Sequence, residues 1–95
     1  MTLDEFKPMV GRNLLADCNP QPIELKLVSA EPLPHLAPIE RAPFILIFRT
    51  PPEILLVTGT YAMKCGEWGP ALIYIERTMS PDLKDDGYYY QAIFN

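Results

Sequence analysis

The sequence predicts an all-β fold: a small antiparallel β-barrel or sandwich of five to six strands with one short N-terminal helix. Three observations predict it. Apolar residues recur with a period of two along most of the chain after residue 13. Turn-forming residues divide those stretches at regular intervals. From residue 59 onward the connections are short, which makes successive strands antiparallel neighbours. The chain has 95 residues, enough for a single domain spanning 1–95 and too few for two. A sheet that closes on itself suits this length.

The helix comes first, over about residues 3–10. Thr2 and Glu5 form a capping-box pair. Leu3, Phe6, Met9 and Val10 follow at helical spacing. Pro8 limits the length and Gly11 stops it. The sheet region then runs over 13–95. A first strand reads at 13–18 and is closed by Asn19-Pro20-Gln21-Pro22. Over 23–30, Ile23, Leu25 and Leu27 point one way and Glu24 and Lys26 the other, the mark of a strand with one wet face. Residues 31–43 hold Pro32, Pro34, Pro38 and Pro43, so regular pairing gives way to a proline-rich loop.

Residues 43–49 are apolar on both faces, which predicts a central strand. Ile54-Leu55-Leu56-Val57 is a further short apolar run. Residues 60–64 alternate, with Tyr61 and Met63 on one face. Cys65-Gly66-Glu67-Trp68-Gly69 reads as a hairpin connection. Residues 71–77 set Ile73 and Ile75 against Leu72, Tyr74 and Glu76. Asp86-Gly87 signals a second hairpin turn. The last strand is 88–94. Tyr88, Tyr90, Ala92 and Phe94 share one face; Tyr89, Gln91 and Ile93 share the other.

Composition excludes several function classes. Twelve acids against 8 bases give a net charge of −4, the wrong sign for a nucleic-acid partner. The longest apolar run, Phe44-Ile45-Leu46-Ile47-Phe48, is too short for a membrane helix. The opening Met1-Thr2-Leu3-Asp4-Glu5 is not a secretory signal, so a cytoplasmic protein is expected. Cys18 and Cys65 lack the spacing of a zinc site and read as small buried hydrophobes.

No residue pattern carries catalytic chemistry, so the expectation is no enzyme, no metal and no cofactor. His35, the one histidine, lies in the proline-rich loop without a nucleophile beside it. Asp82, Asp85 and Asp86 lack the spacing of a calcium loop and enclose Lys84, so they read as a solvated turn. Glu67 and Glu76 have nothing to split their environments into acid and base. The aromatic residues of the C-terminal half stand out more. Tyr88, Tyr89 and Tyr90, with Trp68, form the candidate interaction surface, since three tyrosines in a row cannot all face one core. Plain cross-strand packing is the competing reading. Exposed strand edges point to a protein partner or a homo-oligomer formed through the terminal strand.

Several segments together resemble a family of small bacterial domains of unknown function. Residues 2–11, Thr2-Leu3-Asp4-Glu5-Phe6-Lys7-Pro8-Met9-Val10-Gly11, resemble its opening. Ala42-Pro43-Phe44-Ile45-Leu46-Ile47-Phe48-Arg49 is similar to its central strand. Gly59-Thr60-Tyr61, Ala71-Leu72-Ile73-Tyr74-Ile75 and the closing Tyr90-Gln91-Ala92-Ile93-Phe94-Asn95 are similar to its later strands. The chain departs from the pattern at the more apolar 54–57 and at the turn 64–68. The resemblance implies no activity, cofactor or catalytic residue. The residues themselves point to a non-catalytic interaction or structural module, and the resemblance adds an accessory place in a larger bacterial or phage-tail-like assembly. The alternative is a small apolar-ligand-binding domain, its pocket between strand 44–48 and the proline-rich loop.

Overall fold

A computed structural model describes residues 1–34 and 42–95. His35 and the middle of the proline-rich loop lie outside the described residues. Helix α1 (Leu3–Phe6) opens the chain and runs on as a 3₁₀ turn over Lys7–Met9. The capping pair forms: the Thr2 backbone N–H donates to Glu5 Oε1 at 3.0 Å. Six strands follow: β1 (Asn13–Ala16), β2 (Ile23–Pro32), β3 (Phe44–Thr50), β4 (Gly59–Cys65), β5 (Trp68–Thr78) and β6 (Tyr88–Phe94). They close into an antiparallel barrel in the order β1-β2-β3-β6-β5-β4. The barrel, not the sandwich, is therefore the form the chain takes.

The architecture is two meanders, β1-β2-β3 and β4-β5-β6, zipped together along two seams. One seam joins β3 to β6, from Phe44↔Phe94 to Thr50↔Tyr88. The other joins β1 to β4 through Leu15↔Lys64 and Ala16↔Met63. The inward residues fill the interior: Leu14, Leu25, Leu27, Leu46, Phe48, Met63, Ile73, Ile75 and Tyr90 are all fully buried or nearly so. Barrel width grows with strand number and about eight strands already leave room only for side chains, so a six-stranded barrel is packed solid by its own.

Several expectations are corrected. The first strand stops at Ala16, two residues early, where Asp17 donates its N–H to Ala62 of β4. In β2 simple alternation would turn Ala30 outward. Instead the register against β3 shifts between Leu27 and Ser29, so Val28 is the extra residue of a bulge and Ala30 returns to the core. Strand β3 is one-sided: Phe44, Leu46, Phe48 and Thr50 face inward, while Ile45, Ile47 and Arg49 are half-buried on the outer wall. The apolar run 54–57 contributes one core residue, Leu56, and leaves Leu55 and Val57 exposed.

The terminal strand has a neighbour on each side. Strand β6 pairs with β3 on one side and with β5 from Glu76↔Gln91 to Thr78↔Tyr89 on the other. Closure removes the edge over those residues.

The β4–β5 turn forms where the sequence places it. Gly69 holds φ +87, and a Cβ built there meets the Met63 carbonyl oxygen at 2.6 Å. We expect Gly69→Ala to lower stability by about 1–2 kcal/mol from the left-handed backbone alone, with the clash adding to that. A urea melt measures the loss, and a variant as stable as the parent contradicts this account of the turn.

Candidate interaction surface

The four aromatic residues singled out in the sequence end up in four different environments. Tyr90 is fully buried. Its hydroxyl lies 2.8 Å from Thr50 Oγ1 and accepts the Leu56 backbone N–H at 3.0 Å. Thr50 in turn donates to the Ile54 carbonyl at 2.8 Å. One phenol thus pins the segment after β3 over the mouth of the barrel. Tyr90 belongs to the core, and its place on a contact surface is corrected.

Tyr89 faces the outer wall yet is also buried. Its cover is a clamp. Arg49 donates from Nε and Nη2 to the two oxygens of Asp85, each at 2.8 Å. The Tyr89 hydroxyl donates to the same carboxylate, as does the Gly87 backbone N–H at 2.9 Å. The Arg49 guanidinium, first, then the Tyr89 hydroxyl and the Gly87 amide hold the Asp85 carboxyl well below the usual carboxylate range. The same carboxylate pushes the Tyr89 phenol up, with burial adding to it.

Asp85 is therefore a tie between strands, unlike its neighbours Asp82 and Asp86, which are exposed. Gly87 serves the clamp and not a tight hairpin. Nine residues, 79–87, join β5 to β6, and a Cβ at Gly87 would come within 2.7 Å of the guanidinium.

This clamp has a pH signature. A carboxyl whose folded pKa is depressed adds stability above its unfolded pKa of about 3.9, and that stability is lost as pH falls toward the folded value. The parent should therefore lose more stability than Asp85→Asn between pH 6 and pH 2.5. Denaturant melts at the two pH values test this; equal losses in both proteins remove the clamp from the stability account.

Trp68 is half-buried at the opposite end of the barrel. Its ring meets Phe6 edge-on at 5.2 Å, and Phe6 sits 5.9 Å from Phe44 and 5.7 Å from Phe94. Phe44 and Phe94 stack at 4.7 Å. The Trp68 Nε1–H reaches Glu5 Oε2 at 3.3 Å. Helix α1 is thus a stopper, with Phe6 as its plug. Tyr88, half-buried, carries the Arg77 guanidinium 4.8 Å above its ring.

The exposed apolar wall lies elsewhere. Leu72 and Tyr74 on β5 are 68% and 55% exposed, and Ile93 on β6 is 47% exposed. Ile45 is the register partner of Ile93, and Ala62 that of Leu72. These residues make an uncharged band across four strands. Tyr74 is among the aromatic residues the sequence draws out; Leu72 and Ile93 are not. Alternation alone places both on the outer face, and nothing in the sequence distinguishes an isolated surface leucine from part of a band.

Two surface hollows accompany the band. One, of about 350 Å³, lies at the β1–β4 seam between Leu15, Pro22, Ala62 and Pro70, with Asp17 and Lys64 at its rim. The other, of about 260 Å³, lies beside Arg49, Glu24 and Lys26. The pocket expected beside the proline-rich loop falls in part on residues 35–41, outside the described residues. Among the described residues no group of three histidine, cysteine or acidic side chains could hold a metal ion. No described helix is long and apolar enough to cross a membrane.

The family model for a domain of unknown function (DUF6916) matches residues 1–94. The chain belongs to that family. The match to the DUF6916 domain takes in the stopper helix and all six strands, so the barrel with its plug is the family's domain in this chain. No curated protein and no solved structure matches the chain.

Proposed function

We propose that this DUF6916 domain is a non-catalytic, cytoplasmic interaction module, an accessory of a larger bacterial or phage-tail-like assembly. One observation carries the reading: a filled barrel presents an uncharged band of Leu72, Tyr74 and Ile93 on its outer wall. Exposed apolar area gathered in one place is a mark of contact surfaces. Tyrosine is among the residues enriched at such surfaces.

The chemistry of the side chains supports the non-catalytic half. Burial, then the neighbouring Asp17 carboxylate, pushes the Cys18 thiol up, which keeps it from being a ready nucleophile. Cys65 is buried in the core. The apolar-ligand alternative places its pocket between strand 44–48 and the proline-rich loop; the barrel interior itself is filled by leucine, phenylalanine and tyrosine side chains.

The test compares the parent with Leu72→Asp/Tyr74→Asp, two substitutions on an exposed wall that leave the core intact. Partners retained from the native host by the parent and lost by the variant, with an unchanged melting curve, are the expected result. Identical captures by both proteins, or binding of an apolar ligand inside the barrel by native mass spectrometry, would overturn the reading.

A further inference from the structure

Three connections lie at one end of the barrel: 17–22, 51–58 and 79–87. Strands that alternate in direction around a closed sheet place them there together. The end of β3 ties two of them to each other, since Thr50 bonds the Ile54 carbonyl and Arg49 closes on Asp85. Their charge is unlike that of the rest of the chain. They hold five acids, Asp17, Glu53, Asp82, Asp85 and Asp86, against one base, Lys84, while the remainder balances seven acids against seven bases. The net charge of −4 thus resides in these three connections. The bases on the adjoining strand ends are engaged, Arg49 with Asp85 and Arg77 over the Tyr88 ring. Asp17, Glu53, Asp82 and Asp86 are exposed.

The same connections carry apolar side chains that the core does not use. Leu83, Met79 and Val57, at 90%, 81% and 73%, are the most exposed large hydrophobic residues among those described, and Leu55 is half exposed. The backbone that presents them is fixed from below. The Tyr90 phenol holds the Leu56 N–H, and the Tyr61 hydroxyl donates to the Val57 carbonyl at 2.7 Å. Asp82 Oδ1 accepts the Lys84 N–H at 3.0 Å, and the Asp85 clamp secures Gly87.

We propose that this end is a second docking surface, separate from the band on the outer wall, for a segment of a partner protein that sets lysine or arginine beside large apolar side chains. Exposed leucine, methionine and valine supply the apolar contact, and the surrounding carboxylates select the charge of what approaches. Anionic lipid headgroups and phosphate backbones meet the same carboxylates and are repelled. A second copy of the domain, end to end, brings like charges together and is repelled as well. Connections already held in place lose little freedom on binding.

The probe is a phage-displayed library of twelve-residue peptides, selected on the intact domain at about 50 mM salt. The expected binders pair lysine or arginine with large apolar residues. In the parent they should shift the amide resonances of 53–57 and 79–86 and leave those of 72–74 in place. Their affinity should fall at least about tenfold at about 500 mM salt. It should fall by at least about as much in Glu53→Lys/Asp82→Lys/Asp86→Lys and in Val57→Ser/Leu83→Ser. All five positions are exposed, so both variants should melt like the parent. Leu72→Asp/Tyr74→Asp should keep the binding.

A library that yields no basic, apolar binder overturns the proposal, as do binders that both loop variants retain in full. Binders lost only in Leu72→Asp/Tyr74→Asp overturn it too, and leave the reading of the outer wall standing. Binding to vesicles of phosphatidylcholine and phosphatidylglycerol, with no peptide binder, assigns this end to a membrane surface and overturns it likewise. The resonance map is read on the parent and so holds whether or not a variant folds.

Discussion

Phe48→Ala should cost about 3–5 kcal/mol, the range for truncating a buried aromatic ring. Phe48 is fully buried at the middle of β3. Its register partners are Leu27 on β2 and Tyr90 on β6, so it joins two seams at once. The interior has no slack to fill the vacancy, because the neighbouring positions are held by paired strands on every side. Small domains hold about 5–15 kcal/mol in total, so the loss is between about a fifth and the whole of it. Chemical denaturation of the variant checks this. A midpoint within error of the parent's would remove Phe48 from the core.

Tyr90→Ala should cost at least as much, for two separable reasons. It removes a fully buried ring. It also strands the Leu56 N–H, which donates to the phenol oxygen, and takes from the Thr50 hydroxyl one of its two partners. A buried polar group left without a partner costs about 1–3 kcal/mol. Tyr90→Phe isolates the second part: it keeps the ring and should lose roughly that smaller amount. Amide exchange supplies an independent reading, since the Leu56 amide should lose protection in Tyr90→Phe while β3 keeps its own. A Tyr90→Phe variant with a protected Leu56 amide contradicts the pinning role of the hydroxyl.

Much of the fold was legible because strand alternation is a local signal. Leu25, Leu27, Ile73 and Ile75 could be assigned to the core from their own neighbours in sequence, and burial agrees. What was hidden depends on distant partners. Val28 carries no glycine or proline to announce a bulge; only its pairing against β3 reveals it. The Arg49–Asp85 clamp joins residues 36 positions apart, so a carboxylate in a polar turn looks like any solvated acid until the sheet closes. Tyr88, Tyr89 and Tyr90 were correctly split between faces, but an outward tyrosine is exposed only when nothing covers it, and that cover came from Arg49 on the neighbouring β3 and Asp85 in the β5–β6 connection. The candidate surface was hidden in the same way. Leu72, Tyr74 and Ile93 form a band only once β5 and β6 lie side by side.

The construction from two meanders governs how fast this chain folds and what it risks meanwhile. Within each meander the strands are joined by neighbours in sequence. The β3–β6 seam brings Phe44 to Phe94 and the β1–β4 seam brings Leu15 to Lys64, each spanning about half the chain. The entropy of closing such loops is lost before their contacts give anything back, which places folding in the millisecond-to-second range of non-local β topologies. Until the seams zip, each meander displays two open edges, including β3 with its continuous apolar run. The native barrel has no such edges there, so a newly made chain is most exposed to mispairing in the interval before its two halves meet.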